Sequence, residues 1–203
     1  MMAATAKDSS SNDARSRLEG LTRQARATEK RGPAPVHLWN PPFCGDIDMR
    51  ITADGGWRYM GSPIDRKPMV RLFSTILRKD PDRYVLVTPV ERVGIAVDDL
   101  PFIAAEMRAD GEGEEQTLSF TTNVEDETIA GPARPLRFDR DDRGGLKPAV
   151  LVRGDLWARL SRSLVHDLVE RGSEKEVDGL VWFGVWSGGR FFPIAPAAAI
   201  EAP

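Results

Sequence analysis

The sequence predicts an α+β fold built from a duplicated unit of antiparallel strands plus one helix. Two apolar stripes have helical spacing, several short segments are rich in β-forming residues, and glycine-containing turns join pairs of those segments. The order of strand, glycine corner, helix and strand hairpin occurs at residues 57–97 and again at 149–194. We therefore divide the chain into a charged leader (1–34), an N-terminal α+β unit (35–102), a C-terminal α+β unit (103–196) and a tail (197–203).

The leader is predicted to be disordered. After the two initial methionines its only large apolar residues are Leu18 and Leu21, which bury too little surface to offset the loss of chain entropy. A frayed helix over residues 15–30 is the most regular structure we expect there. A basic helix for a nucleic acid or a protein partner is the functional alternative.

The N-terminal unit begins with a predicted hairpin. Apolar and polar residues alternate over 49–53, the sequence Asp54-Gly55-Gly56 supplies a turn, and residues 57–60 return as the partner strand. Two further strands are predicted over 84–88 and 90–97, where β-branched residues are frequent.

Between these strands, a helix is predicted from Asp65, its expected N-cap, with Pro68 in the first turn. Its buried stripe runs from Met69 to Leu77. We expect the helix to end near Asp80, because a residue that precedes a proline is disfavoured in the helical region.

The C-terminal unit is predicted to contain short strands over 117–122, 136–138 and 149–153. A second apolar stripe, from Leu156 to Val169, predicts a helix that ends near Gly172. The last element is a hairpin that joins residues 180–186 to 190–194.

Composition excludes several classes of protein. No segment approaches the roughly 18 consecutive apolar residues that span a bilayer, and the N-terminus lacks the apolar region of a secretory signal, so we expect a soluble cytoplasmic protein. One cysteine and two histidines cannot form an internal disulfide or a four-ligand Cys/His zinc site. We expect no cofactor and no metal.

The net charge of −3 is unevenly distributed. Residues 1–35 have a net charge of +3, residues 36–102 are neutral, and residues 103–203 have a net charge of −6. The overall acidity argues against a domain-wide electrostatic interaction with nucleic acid, but it leaves room for a local basic patch.

Asp46 and Asp48 lie two residues apart, so on a strand they share one face. Such a pair can hold a cation, share a proton or hydrogen-bond to a small ligand. No third ligand stands at a motif spacing. The simpler interpretation is a polar strand in which one carboxylate pairs with Arg50 or another cation.

The corner from Gly61 to Lys67 is the most suggestive local feature. Arg66 and Lys67 fall in the first helical turn, where the helix dipole disfavours cations unless an anion is bound. Backbone N–H groups, the Ser62 hydroxyl, these two cations and Arg71 are predicted to surround a phosphate or carboxylate. The alternative is that the basic side chains lie along the surface or pair with Asp65 and other acids.

Trp182, Gly184 and Trp186 share one face of a predicted strand, and the glycine between two indoles suggests a slot for a planar group. A domain core, or an interface between the units, is the simpler explanation.

His166 and Cys44 have no recognisable catalytic partner at a motif spacing.

The body of the chain contains several long and specific runs of sequence. They are GDIDMRI (45–51), the DG turn with its aromatic pair Trp57 and Tyr59, GSPI followed by Arg66, VRLFSTILR (70–78), YVLVTPVE (84–91), LSFTTN (118–123), PLRF (135–138) and VWSGGRFFPI (185–194). Together these runs resemble one bacterial family, domain of unknown function 1285, and the resemblance covers about residues 33–195.

The resemblance implies a duplicated α+β core whose C-terminal unit is loosely similar to pleckstrin-homology folds. It also implies a nucleotide-like or nucleic-acid-based ligand at the interface of the two units, and a role in signalling. No catalytic activity accompanies it. Carried onto this sequence, the site residues are Asp46, Asp48, Arg50, Tyr59, Gly61, Ser62, Arg66, Trp186 and Arg190.

We therefore expect a non-enzymatic ligand-binding or sensory module for an anionic, nucleotide-like ligand, acting in signal transduction with a partner protein. One alternative is a hydrolase or transferase that uses Asp46 and Asp48. Another is a protein-interaction adaptor that uses the tryptophan-bearing second unit. The sequence leaves open whether the chain forms a homodimer.

Overall fold

A computed structural model describes residues 5–28 and 34–199. Its contacts divide the chain into unit 1 (residues 1–99) and unit 2 (residues 100–203), and each is described by itself.

Unit 1 contains a six-stranded sheet. Its strands are β1 (Phe43–Ile51), β2 (Trp57–Tyr59), β3 (Ser62–Pro63), β4 (Leu77–Asp80), β5 (Arg83–Val87) and β6 (Arg92–Val97). They are arranged in the order β3-β2-β1-β6-β5-β4, in which β1 and β6 are parallel and the other neighbours are antiparallel. The predicted antiparallel unit therefore has a parallel pair at its centre.

The predicted hairpin at the start of unit 1 is confirmed. Ile51 pairs with Trp57 and Met49 with Tyr59. In the turn, the Thr52 hydroxyl donates to the Asp54 carboxylate, as does the Gly56 N–H, and these bonds lower the pKa of Asp54. The turn is thus specified by side chains of its own residues.

The first helix, α1 (Thr5–Thr28), occupies most of the segment that was predicted to be disordered. Leu21 and Ala25 are buried, the Tyr59 hydroxyl donates to the Ala14 carbonyl (2.7 Å), and Arg17 Nη2 donates to the Cys44 carbonyl (2.8 Å). These two apolar side chains are enough to stabilise α1 because they pack against the rest of unit 1, and tertiary packing supplies most of the stability of a helix.

Within the described chain, no helix has both the length and the apolar character needed to cross a membrane.

The second helix, α2 (Lys67–Thr75), is shorter than predicted. Its N-cap is Arg66 instead of Asp65, and Leu77–Asp80 form strand β4 instead of the last helical turn. The residue before Pro81 favours an extended conformation, which a strand satisfies as well as a helix end does. Phe73 anchors α2 by stacking on Trp57, with ring centroids 6.3 Å apart.

Unit 2 contains a second six-stranded sheet, formed by β7 (Phe102–Asp110), β8 (Thr117–Thr122), β9 (Glu127–Ile129), β10 (Leu136–Arg140), β11 (Leu146–Arg153) and β12 (Leu156–Leu160). The order is β10-β11-β12-β7-β8-β9, and the central pair β7 and β12 is parallel. The strands predicted near 117, 136 and 149 are confirmed. Each strand, counted from the first strand of its own unit, takes the same position in both sheets, so the structure suggests a duplicated unit. The repeats are residues 43–97 and 102–160, and the predicted repeats at 57–97 and 149–194 are wrong in their bounds because the second of them runs into the three-stranded sheet.

The helix of unit 2, α3 (Arg162–Glu170), starts later than predicted. Leu156, Ala158 and Leu160 are buried at alternate positions of β12, so this part of the apolar stripe belongs to a strand. Leu164 and Leu168 are the buried residues of α3.

A three-stranded sheet completes unit 2, with β13 (Ser173–Val177), β14 (Leu180–Ser187) and β15 (Arg190–Pro196). The predicted hairpin of β14 and β15 is confirmed. Residues Ala197–Ala199 of the predicted tail form a 3-10 turn, whereas residues 1–4 and 29–33 of the leader and 200–203 of the tail lie outside the described residues.

Candidate functional site

Unit 1 has a cleft of about 400 Å³ beside the start of α2. The end of β2, strand β3, the segment leading into α2, the first turn of α2 and one side chain of α1 form its walls. The lining residues are Leu18, Tyr59, Ser62, Pro63, Ile64, Asp65, Arg66 and Met69.

A tight turn places the two hydroxyl-bearing residues of the cleft. Met60 and Gly61 have positive φ angles of 49° and 75°, as in the two-residue turns that suit the twist of a hairpin. The chain reverses there, and Tyr59 pairs with Ser62. Arg58 Nη1 supports the turn by donating to the Gly61 carbonyl oxygen (3.1 Å).

The start of α2 offers fewer backbone donors than the sequence predicts. Pro68 has no N–H, and the Met69 N–H donates to the Arg66 carbonyl oxygen (2.9 Å). The Lys67 N–H, in contrast, has no acceptor among the described residues. An anion at this corner would depend mainly on side chains.

The side chains of the cleft combine a cation, hydroxyls and apolar groups. Arg66 is exposed, and Asp65 is the carboxylate among the lining residues. The Tyr59 hydroxyl donates to the Ala14 carbonyl oxygen, so the Ser62 hydroxyl is the better donor toward a ligand. Such a set can bind an anionic group but does not bring a nucleophile together with a base.

The predicted carboxylate pair lies outside this cleft. Asp46, Asp48 and Arg50 share the exposed face of β1, as predicted, while Ile47 and Met49 are buried. Asp46 Oδ1 lies 3.5 Å from Arg83 Nη1, and Arg50 forms an ion pair with Asp98.

These ion pairs favour the structural interpretation of the carboxylate pair over a catalytic one. Among the described residues, no third metal-ligating group joins Asp46 and Asp48. At Gly94, an added Cβ would collide with the Asp46 carboxylate, so this glycine provides the space in which Asp46 lies.

Lys67 and Arg71 are exposed residues of α2 that do not line the cleft. Their predicted role in binding an anion stays a prediction, as does that of Gly61, whose positive φ shapes the turn but whose atoms are not among the lining groups.

Trp186 and Arg190 belong to unit 2. Trp186 is 8% exposed, with Lys175 Nζ 4.0 Å above its ring and the Phe191 ring 5.3 Å away. The predicted slot beside Gly184 is filled, because an added Cβ there would lie 2.7 Å from the Phe191 ring. Arg190 is exposed, with its guanidinium over Phe192.

Sequence reasoning missed the apolar side of the cleft. Leu18, Ile64 and Met69 come from three separate segments, and Leu18 was assigned to a disordered leader. It also missed a group on α3, where ligand atoms of His166, Asp167 and Glu170 lie within 4.8 Å of one another. All three side chains of that group are exposed, and their spacing along one helix was the available signal.

Comparisons with known proteins identify the family. The N-terminal domain of DUF1285, a domain of unknown function, matches residues 34–100, and its C-terminal domain matches residues 101–194. A DUF1285 family protein from Silicibacter pomeroyi DSS-3, solved by crystallography, is 50% identical over 90% of this chain and 98% of its own, with a TM-score of 0.81.

A second crystal structure, of a DUF1285 family protein from Shewanella baltica OS155, is 24% identical over 61% of this chain and 91% of its own, with a TM-score of 0.48. A search of curated proteins found no match. The two domain matches together span the chain from residue 34 to residue 194, and the chain therefore belongs to the DUF1285 family.

Proposed function

We propose that this protein is a non-enzymatic binding or sensory module, acting in signal transduction, that takes a small anionic, nucleotide-like ligand in the cleft of unit 1. The observation that carries the proposal is that Ser62 and Arg66, a hydroxyl-bearing residue and a cationic one, line the same cleft at the start of α2.

The charges at this helix start favour an anion. Arg66 is the N-cap and Lys67 the first residue of α2, and no side chain of the described residues caps this end. Cations at the positive end of a helix dipole are unfavourable by a few tenths to about 1 kcal/mol each. A bound phosphate changes the sign of that interaction and can accept two parallel hydrogen bonds from an arginine.

The other walls suit the remainder of such a ligand. Leu18, Ile64 and Met69 supply apolar surface to the same cleft. The volume of about 400 Å³ lies near the lower end of the range for small-molecule sites. A phosphate with a compact organic body fits this combination better than a polymer does.

The experiment is calorimetric titration of the full chain with inorganic phosphate and with a panel of nucleoside monophosphates. We expect at least one monophosphate to bind and Arg66→Ala to weaken it about tenfold or more, since a charge-assisted hydrogen bond contributes roughly 1.5–3 kcal/mol. Ser62→Ala is expected to cost less, because its hydroxyl is neutral.

Arg83→Ala is the matched control, because Arg83 is an exposed arginine of the same unit that does not line the cleft. Circular dichroism checks that each variant is folded. The proposal is wrong if no probe binds, or if Arg66→Ala and Arg83→Ala weaken binding equally.

A further inference from the structure

Unit 2 contains a larger cleft, of about 1000 Å³, between the β10–β11 hairpin, the end of β12 and one face of α3. Apolar side chains from all three elements contribute to its surface. They are Leu146, Pro148, Leu160, Val165 and Val169.

The charge around this cleft is opposite to that of the unit. Residues 103–203 contain 12 basic and 18 acidic side chains. The cleft nevertheless collects four of the basic side chains and only two of the acidic ones, Asp141 and Glu170. The cations are Arg143, Lys147, Arg159 and Arg162, with His166 beside them.

The two carboxylates of the cleft are already engaged. Asp141 Oδ1 accepts hydrogen bonds from the N–H groups of Arg143 (2.9 Å) and Gly145 (2.7 Å), which close the β10–β11 turn. Glu170 Oε1 lies 3.3 Å from His166 Nδ1. Two carboxylates also offset only part of the charge of the four cations that line the cleft.

Two of the cations are available to a ligand. Arg143 and Arg162 are both exposed, and neither forms an ion pair with a residue that the structure describes. They come from separate elements, the hairpin turn and the first residue of α3. A ligand that bridges them needs at least two anionic groups.

We propose that this cleft is a second binding site, for a nucleoside polyphosphate, with the phosphates between Arg143 and Arg162 and the base on the apolar residues. A nucleoside triphosphate supplies several negative charges and a planar body, and a cleft of about 1000 Å³ is large enough for both. This inference goes beyond the proposed function because the site lies in the other unit and shares no residue with the cleft of unit 1.

The test is titration of the full chain with ATP, with inorganic tripolyphosphate and with adenosine, in magnesium-free buffer. We expect ATP to bind more tightly than tripolyphosphate, adenosine to bind weakly, and added salt to weaken binding. The double variant Arg143→Ala/Arg162→Ala is expected to weaken ATP binding at least tenfold.

Arg83→Ala/Arg108→Ala is the control, since it removes the same net charge from exposed arginines outside the cleft. Hydrogen exchange locates the site: ATP is expected to protect residues 141–148 and 159–170 in the unaltered protein and in Arg66→Ala, but not in the cleft double variant. The inference is overturned if ATP does not bind, if the two double variants behave alike, if ATP binds no more tightly than tripolyphosphate, or if protection appears only in unit 1.

Discussion

The two units arrange six strands in the same order but insert their helices at different points. In unit 1, α2 follows the third strand, whereas in unit 2 the third and fourth strands are joined by residues 130–135 and α3 follows the sixth strand. The shared feature is the parallel pair formed by the first and sixth strands. The comparison indicates that the six-stranded sheet is the repeated part of the structure. The position at which a helix is inserted into the chain is not repeated.

The second difference is the additional sheet of unit 2. Ser187 on β14 is fully buried, its hydroxyl donates to the Ala130 carbonyl oxygen (2.7 Å), and it accepts from the Leu118 N–H (2.9 Å). The Gln116 side chain donates to the Trp186 carbonyl oxygen (2.8 Å). Unit 2 therefore joins its two sheets through buried polar groups, whereas α2 of unit 1 depends on apolar contacts such as that of Phe73 with Trp57.

The largest expected effect concerns the apolar anchor of unit 1. Phe73 is fully buried, and Phe73→Ala is expected to lower the free energy of unfolding by about 3–5 kcal/mol, because the substitution loses buried area and leaves a cavity. Hydrogen exchange should accelerate mainly in β1, β2 and α2. Leu168→Ala, expected to cost about 2–5 kcal/mol, is the counterpart in unit 2 and should act mainly on α3 and its neighbours.

The two units are separated by their contacts, and these two variants test whether they also unfold independently of each other. If Phe73→Ala accelerates exchange equally in the strands of both units, the division into two units does not describe how the protein unfolds.

An intermediate effect is expected at the polar connection of unit 2. Ser187→Ala leaves the buried Leu118 N–H and Ala130 carbonyl without the hydroxyl that bonds to both, at a cost of about 1–3 kcal/mol. Urea unfolding measures the loss. Ser119→Ala on β8 is the control, because Ser119 is only half-buried and has no side-chain hydrogen bond within the described structure. Equal effects of the two substitutions would contradict a specific role for Ser187.

The smallest expected effect on stability concerns one hairpin turn from each unit. Met60-Gly61 in unit 1 and Asp178-Gly179 in unit 2 are two-residue hairpin turns in which both residues have positive φ. Asparagine and aspartate tolerate this conformation, whereas methionine is disfavoured there by roughly 1 kcal/mol. Met60→Asn is therefore expected to stabilise the protein by up to about 1 kcal/mol.

Asp178→Asn is the matched change in unit 2 and is expected to have little effect, because aspartate already suits that position. Thermal unfolding of both variants measures the difference. A Met60→Asn variant no more stable than the unaltered protein would show that contacts of the Met60 side chain outweigh its backbone preference.

Hairpins were predicted correctly because their signals are local. The β1–β2 and β14–β15 pairs follow from alternating residues on either side of a glycine-containing turn. The stripe from Leu156 to Val169 was misassigned at its start because leucines four apart also satisfy a strand when the residue between them, Ala158, is small and buried. Helical and alternating spacings overlap over such short segments, and only pairing with a neighbouring strand separates them.

The candidate site was predicted in part for the same reason. Ser62 and Arg66 lie within five residues of sequence and line one cleft, whereas Asp46 and Arg50 are engaged by Arg83 and Asp98, partners distant in the chain. Tyr59, which also lines the cleft, was predicted through the family resemblance. Leu18 could not be predicted to line the cleft, because its place depends on the packing of α1 against the rest of unit 1.

The sequence by itself determined the α+β class, the hairpins, the family and the basic corner before α2, because each depends on residues close together in the chain. Only the tertiary structure decided the parallel central pairs, the folding of the leader into α1, and the cations of unit 2 that surround one cleft. Those features join segments distant in sequence, and the free energy that selects them comes from burial and pairing, which local patterns do not encode.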